Sequence, residues 1–159
     1  MKKIFLTLAS ASLAIGSALA DDQKSGDSAK VKPDVTITIT GNDMMKYDKT
    51  AFKVKSGQVV GLTFKNVGAL PVEAMGHNLV ILKPGSDIIK FALGGIANRA
   101  GGFLPTDPKL KAQIVVNTKV LGPKQEETIV FKAGEPGVYP YVCTFPGHFG
   151  VMQGKMTVK

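Results

Sequence analysis

Cysteine and histidine are scarce in this chain, which contains one cysteine, two histidines and no tryptophan in 159 residues. A single cysteine excludes an intrachain disulfide, so it is a reactive thiol, a metal ligand or an inert buried residue. Two histidines are too few for a catalytic centre with several metal ions. The chain also lacks internal repeats and any run of four or more basic residues.

Charge is basic but dispersed, with 20 Lys and Arg against 12 Asp and Glu and a formal net charge of +8. Without a basic helix or stacking aromatic residues, this distribution argues against nucleic acid as a partner. Positive charge of this size can steer an acidic partner, although a solvated lysine-rich surface is the simpler interpretation.

A long apolar run occurs only at the N-terminus, where it follows Lys2 and Lys3 and ends at residues 18–20, Ala-Leu-Ala. This pattern predicts a cleaved signal peptide over residues 1–20 and a periplasmic protein. The run is short and rich in Ala and Ser, so an uncleaved anchor is the weaker alternative and no span is expected in the mature chain. Cleavage lowers the formal charge from +8 to about +6, because Lys2 and Lys3 are lost.

The rest of the chain has a β-protein pattern. Residues 21–33 are polar and predict a flexible tether, and residues 34–159 make up one domain. Strict alternation in Val35–Thr40, and several later short apolar runs between Gly and Pro turns, predict an all-β Greek-key sandwich of seven to eight strands. One short helix is predicted in an insertion over residues 86–97, with Ser86 as its cap.

Three chemically active side chains lie within ten residues near the C-terminus. Cys143, His148 and Met152 form the pattern C-x4-H-x3-M. Pro146 and Gly147 lie between the first two and predict a turn that can direct all three side chains to one point. A thiolate, an imidazole and a thioether form a donor set that suits copper.

The other histidine, His77, precedes a strand-like run and can supply the fourth ligand. Two histidines, a cysteine and a weak axial methionine are the ligands of a type 1 copper site. Cys143 would supply the short bond and Met152 the long axial one. Zinc is disfavoured, because it does not select a methionine ligand.

With these motifs the sequence resembles the cupredoxins, and among them the azurins. The resemblance covers the chain after the leader and is weakest between residues 86 and 111. The matching segments are residues 41–43, 75–78, 143–148 with Met152, and 154–159. It implies a cupredoxin-like sandwich with one copper ion.

The resemblance also implies roles around the metal. The carbonyl oxygen of Gly76 would lie near the second axial position. Asn78 would join the two ligand segments, and the backbone N–H groups of Asn78 and Phe145 would point at the sulfur of Cys143. Apart from the resemblance, the apolar residues Met75, Leu70, Pro146 and Phe149, with Met44 as a further candidate, predict a docking patch around the edge of His148, unless they are buried in the core.

Three departures from the azurin pattern are expected. The usual disulfide positions correspond to Val35 and Gly57, and the usual tryptophan corresponds to Leu79. The buried histidine that couples potential to pH corresponds to Asn66, so a weaker pH dependence is expected. None of these changes affects a copper ligand.

The sequence therefore favours a monomeric, periplasmic electron-transfer protein rather than an enzyme. Its copper would cycle between Cu(I) and Cu(II), with redox proteins such as c-type cytochromes, reductases or oxidases as transient partners. The alternative is a periplasmic copper carrier or storage protein, since methionines can bind Cu(I), although here they are dispersed.

Overall fold

A computed structural model describes residues 32–159, which form nine strands and three short helices. The predicted signal peptide, and the tether up to residue 31, lie outside the described residues. The strands are β1 (Val35–Asn42), β2 (Lys46–Tyr47), β3 (Ala51–Val54), β4 (Val59–Asn66), β5 (Val80–Leu82), β6 (Ile114–Asn117), β7 (Glu126–Lys132), β8 (Gly137–Val142) and β9 (Gln153–Val158). The helices are α1 (Val72–Met75), α2 (Ile88–Gly95) and α3 (Pro108–Lys111).

The strands form two sheets, one in the order β2-β1-β4-β7 and the other in the order β3-β9-β8-β5-β6. The pairs β1–β4 and β3–β9 are parallel, and the other strand pairs are antiparallel. The predicted β-sandwich is confirmed. The sequence pattern missed one strand because β2 has only two residues, too few to show alternation.

Alternate side chains of the two sheets meet in one core. Ile39, Leu62 and Phe64 from the first sheet are fully buried, as are Tyr141 and Met156 from the second. This alternation of buried and exposed residues is what two facing amphipathic sheets require.

The outer face of the second sheet is covered as well. Phe91 of α2 packs with Val80, Leu82 and Val142 in a separate buried cluster. All three residues of β5 are therefore buried, which explains why this strand is continuously apolar instead of alternating.

Helix α2 is shorter than predicted, and its cap is one residue later. Asp87, not Ser86, is the N-cap, and its Oδ1 accepts a hydrogen bond of 3.0 Å from the N–H of Lys90. Both residue types are good caps, so the pattern alone could not choose between them.

The structure adds two single-turn helices to the one predicted. Helix α3 begins after Asp107, whose side chain caps the N–H groups of Lys109 and Leu110. One turn is too short to produce a helical period in the sequence. Over residues 32–159, no helix is long and apolar enough to cross a membrane.

Noncovalent contacts join the end of the sandwich near Val35 and Gly57, where the resemblance to azurins implied a disulfide. Asp34 makes two 2.8 Å hydrogen bonds to the backbone of Val59, one through its N–H and one through its carboxylate. Gly57 donates a 3.0 Å bond to the carbonyl of Ala133. The two Asp34 bonds hold the start of β1 against β4, and the Gly57 bond joins the segment before β4 to the residue after β7.

Candidate metal centre

His77 is fixed by a backbone bridge to a distant part of the chain. Its N–H donates to the carbonyl of Leu121 at 3.1 Å, and its carbonyl accepts from the N–H of Leu121 at 2.7 Å. Two residues later, the N–H of Leu79 donates to Thr118 Oγ1 at 3.0 Å. The fold therefore sets the position of His77 from both sides.

The second ligand segment is the loop between β8 and β9. The N–H of His148 donates to the carbonyl of Phe145 at 3.0 Å, across a turn in which Gly147 has φ +84°. The N–H of Met152 donates a hydrogen bond to the carbonyl of His148 at 2.8 Å, and the N–H of Cys143 donates to the carbonyl of Met152 at 3.1 Å. The loop thus closes on itself, as the Pro-Gly turn predicted.

The side chains of these segments converge. The Nδ1 atoms of His77 and His148 are 3.2 Å apart. The Sγ atom of Cys143 lies 3.9 Å from the first nitrogen and 3.6 Å from the second. His77 and Cys143 have no exposed surface, and His148 is 3% exposed.

These separations fit a single metal ion. With metal–nitrogen bonds of about 2.0 Å and a metal–sulfur bond of about 2.3 Å, they correspond to angles of roughly 105°, 115° and 130° at a common centre. The angles add up to nearly those of a trigonal plane, which is the arrangement that two histidines and a cysteine adopt around copper in type 1 sites.

Burial controls the protonation of the three groups. Burial lowers the pKa of His77, and the Asn42 carbonyl and the Asp43 carboxylate partly offset this decrease. Burial, with the nearby His77, lowers the pKa of His148 to about 4. Burial also raises the pKa of Cys143 to about 12, although hydrogen bonds from the backbone N–H groups of Asn78 and Phe145 act in the opposite direction.

Neutral imidazoles are therefore ready to bind a metal at neutral pH, whereas the thiol must lose its proton on binding. The Nε2 atom of His77 is buried and has no well-formed hydrogen bond among the described residues. The ligand atom of His77 is instead Nδ1, because this is the nitrogen that lies 3.2 Å from His148 Nδ1 and 3.9 Å from Cys143 Sγ.

Asn78 joins the two ligand segments. Its Oδ1 accepts a 2.8 Å bond from the N–H of Thr144, and its Nδ2 donates to Thr144 Oγ1 at 2.8 Å and to the Gly102 carbonyl at 3.3 Å. Its own carbonyl accepts from the hydroxyl of Tyr47 at 2.6 Å. This is the connection that the resemblance implied for Asn78.

Gly76 lies in a crowded position beside His77. A Cβ atom there would be 2.7 Å from Val120 Cγ1, 2.7 Å from the Val72 carbonyl oxygen and 3.1 Å from Phe145 Cε2. Packing therefore requires glycine here, whatever its carbonyl does. The axial role of that carbonyl remains a prediction.

Met152 is fully buried in the core. Its methyl carbon faces Gly41, where an added Cβ would be only 2.7 Å away, so the side chain is confined. The backbone bonds to Cys143 and His148 hold Met152 within the same closed loop.

The predicted docking residues differ in their exposure. Leu70 is 45% exposed, and Met44 is 66% exposed. Met75, Pro146 and Phe149 are half-buried, and Phe149 packs against the cluster under α2. Their common role in docking remains a prediction.

Sequence reasoning missed three residues that support the site: Tyr47, Thr118 and Thr144. All are buried, and each bonds to the ligand-bearing segments. Of the three, only Thr144 could have been singled out from the sequence, because it directly follows Cys143. The other two are ordinary residues in the sequence, and only the fold brings them close.

A β-sandwich with His77, Cys143, His148 and Met152 at one end defines a cupredoxin with a type 1 copper site. Residues 33–159 match the copper binding proteins of the plastocyanin/azurin family. The chain therefore belongs to the plastocyanin/azurin family. This family consists of electron carriers, which confirms the expectation that the protein is not an enzyme.

Individual relatives agree with this assignment. Auracyanin-A of Chloroflexus aurantiacus is 34% identical over 127 residues, covering 78% of this chain and 74% of that protein. Azurin of Pseudomonas aeruginosa is 31% identical over 129 residues, covering 78% and 84%. The structure of reduced auracyanin from Roseiflexus castenholzii aligns with a TM-score of 0.68 and 39% identity, covering 80% of this chain and 99% of that one.

Proposed function

We propose that this chain is an exported electron-transfer protein whose single copper ion cycles between Cu(I) and Cu(II). The observation that carries the proposal is the buried cluster of His77, Cys143 and His148, with ligand separations of 3.2 to 3.9 Å. When bound, the copper would supply a one-electron couple.

The protein residues hold this geometry before a metal arrives. The bridge between His77 and Leu121 fixes one ligand, the closed loop fixes the others, and Asn78 connects the two segments. Ligands that are held in this way need little rearrangement when the charge at the centre changes. A small rearrangement favours fast electron transfer, and no acid or base group is required.

Electrons would enter and leave close to His148, whose ring is almost fully covered. Exposed Leu70 and Met44, with half-buried Met75 and Pro146, support an apolar docking patch there. A small patch suits the brief contacts of redox proteins such as c-type cytochromes, reductases or oxidases. The proposed compartment is the periplasm, on the basis of the N-terminal residues 1–20.

The test is redox cycling of the purified protein with one equivalent of copper. Ascorbate and then ferricyanide should reduce and reoxidise the protein repeatedly with full recovery of its absorption, and a Cu(I) chelator should remove the metal only slowly. Rapid loss of copper to the chelator, with poor recovery after one cycle, would instead support the carrier or storage function.

A further inference from the structure

A cleft of about 420 Å³ lies beside the metal centre. It is lined by Val72 and Glu73 of α1, by residues 99–104, by residues 117–120 and by Phe145. Its volume is within the usual range for sites that receive a small molecule, roughly 300–1,000 Å³, so it has room for a side chain of a partner. The copper ligands do not line it, so it is separate from the metal site.

The loop that forms one wall is built rigidly. The Asn98 side chain donates to the Leu104 carbonyl at 2.8 Å and accepts from the N–H of Gly101 at 3.2 Å. Phe103 adopts φ +60°, a conformation that is uncommon for a bulky residue, and packs edge to face on Phe145 with ring centroids 5.1 Å apart. The wall is therefore formed in advance of binding.

The charged residues of the cleft favour an anionic ligand. Arg99 is the single arginine of the chain, and Lys119 also lines the cleft. The ion pairs among residues 32–159 are Lys49–Asp48 and Lys65–Glu126, so neither cleft side-chain cation is paired with a carboxylate in the described part of the chain. The Glu127 carboxylate accepts a 2.6 Å bond from the backbone N–H of Lys119 and leaves its ammonium group unpaired among these residues. A planar guanidinium suits two-point binding of a carboxylate.

Glu73 is the only carboxylate among the lining residues. It would repel an incoming anion from its own part of the cleft, so an anion should settle beside Arg99 and Lys119. The remaining wall, including Val72, Val120 and the two phenylalanine rings, offers apolar contact to a group adjoining that anion.

Phe145 connects the cleft to the metal centre. Its ring lies 4.7 Å, centroid to centroid, from the ring of His148, and its N–H hydrogen-bonds the Cys143 sulfur. The carbonyl of Gly102, on the opposite wall, accepts from Asn78 at 3.3 Å and from Thr144 at 3.4 Å. An occupant of the cleft would therefore lie one aromatic ring from a metal ligand.

We propose that this cleft docks an acidic side chain of the redox partner protein, together with an adjoining apolar residue, with Arg99 and Lys119 binding the carboxylate. This inference rests on the proposed electron-transfer function and adds a charged anchor beside the apolar patch. The positive charge of the protein would favour the approach of such a partner, and the anchor would fix its orientation.

The test uses NMR titration of the Cu(I)-loaded protein, which is diamagnetic, and of the copper-free protein. The probe is a capped peptide, Gly-Glu-Phe-Glu-Gly, and the comparison probe has glutamine in place of both glutamates. The acidic peptide should shift the amide signals of residues 99–104 and 117–120 and the ring signals of Phe145. The neutral peptide should bind at least about fivefold more weakly.

Variants then locate the contact. Arg99→Gln should weaken binding of the acidic peptide by about fivefold to tenfold. Arg99→Lys should lose less affinity, because lysine keeps the charge although it lacks the planar guanidinium. The matched control is Lys132→Gln, which removes the same charge from the end of β7 that pairs with Val59, far from the site, and should change binding by less than about twofold.

Equal binding of both peptides, or equal weakening by Arg99→Gln and Lys132→Gln, would overturn the proposal. Binding of free glutamate as tightly as of the peptide would also overturn it, since the cleft would then serve small carboxylates. Peptide binding and copper cycling are measured in separate experiments, so the two proposals can fail separately. A protein that binds the peptide but fails to cycle its copper loses the electron-transfer function, whereas one that cycles without binding loses only the docking cleft.

Discussion

The two segments that carry the metal ligands are held in place in different ways. His77 depends on a distant residue, Leu121, for both of its backbone hydrogen bonds. The loop containing Cys143, His148 and Met152 instead bonds mainly to itself. The position of His77 therefore depends on the folding of the whole sandwich. Cys143, His148 and Met152 can instead keep their arrangement through bonds within their own loop.

This difference makes the link between the segments important. Besides the metal ligands themselves, Asn78 and Thr144 form the side-chain connection between them, with two bonds of 2.8 Å. If the comparison is right, damage to this link or to the His77 segment should be more harmful than equivalent damage inside the loop.

The largest effect is expected from Asn78→Leu. The substitution leaves the buried N–H of Thr144 without its partner, a loss that costs about 1–3 kcal/mol. It also removes the amide donor of the Thr144 hydroxyl and the Gly102 carbonyl, which keep only their mutual 3.4 Å bond. We expect the free energy of unfolding of the copper-free protein to fall by about 3 kcal/mol in urea titrations. Thr144→Val, which keeps the backbone bond, should cost about 1 kcal/mol, and equal losses in both variants would contradict the assigned role of Asn78.

Alanine substitution of one glycine in each segment compares how tightly the two segments are packed. Gly76→Ala would place a Cβ 2.7 Å from both the Val120 side chain and the Val72 carbonyl, whereas Gly150→Ala meets nothing within 4 Å. Overpacking should therefore destabilise the first variant by about 1–3 kcal/mol, while the second should be nearly neutral. Thermal unfolding of the two variants measures the difference, and a larger loss at Gly150 would refute the comparison.

The copper-free protein should lose stability in mild acid. Its folded state keeps His77 and His148 neutral, with the pKa of His148 at about 4, whereas an unfolded histidine binds a proton near its ordinary pKa of about 6.5. Stability from this source is thus complete above pH 6.5 and declines as the pH falls towards 4. Denaturant midpoints measured across this range should fall less steeply in His148→Gln than in the parent protein, and identical slopes would argue against this origin.

The smallest effect concerns the reduction potential. The resemblance to azurins implies that Asn66 corresponds to a pH-sensitive histidine of that pattern. Asn66 is buried, and its side chain bonds the Leu121 carbonyl at 3.0 Å and the N–H of Gly68 at 2.9 Å. Unlike an imidazole, a carboxamide does not take up a proton between pH 5 and 8. Voltammetry between pH 5 and 8 should show only a weak change in potential. A shift as large as that of a histidine-containing azurin would contradict the expectation.

Much of the site could be predicted because its ligands are rare residue types. With one cysteine and two histidines in the chain, the pairing of His77 with the Cys143 loop required no knowledge of the fold. The alternation of Val35–Thr40 and the apolar runs likewise indicated strands, since a half-buried sheet imposes that period.

The remaining features depend on contacts between distant residues. Nothing in the local sequence shows that Tyr47 reaches the carbonyl of Asn78 or that Leu121 bridges His77. The cleft beside Phe145 is assembled from four separate segments, so its basic character could not be seen before they were brought together. Single-turn helices such as α3 were missed because one turn has no period.

The central claim is that Cys143 and the two histidines hold one copper ion as a thiolate-bonded electron-transfer centre. The visible spectrum of the purified protein after addition of Cu(II), with Cys143→Ser measured beside it, tests this claim most directly. We predict an intense band in the red region that is absent in the variant, because the band needs charge transfer from a cysteine thiolate to copper. A colourless parent protein, or the same band in both proteins, would contradict the assignment.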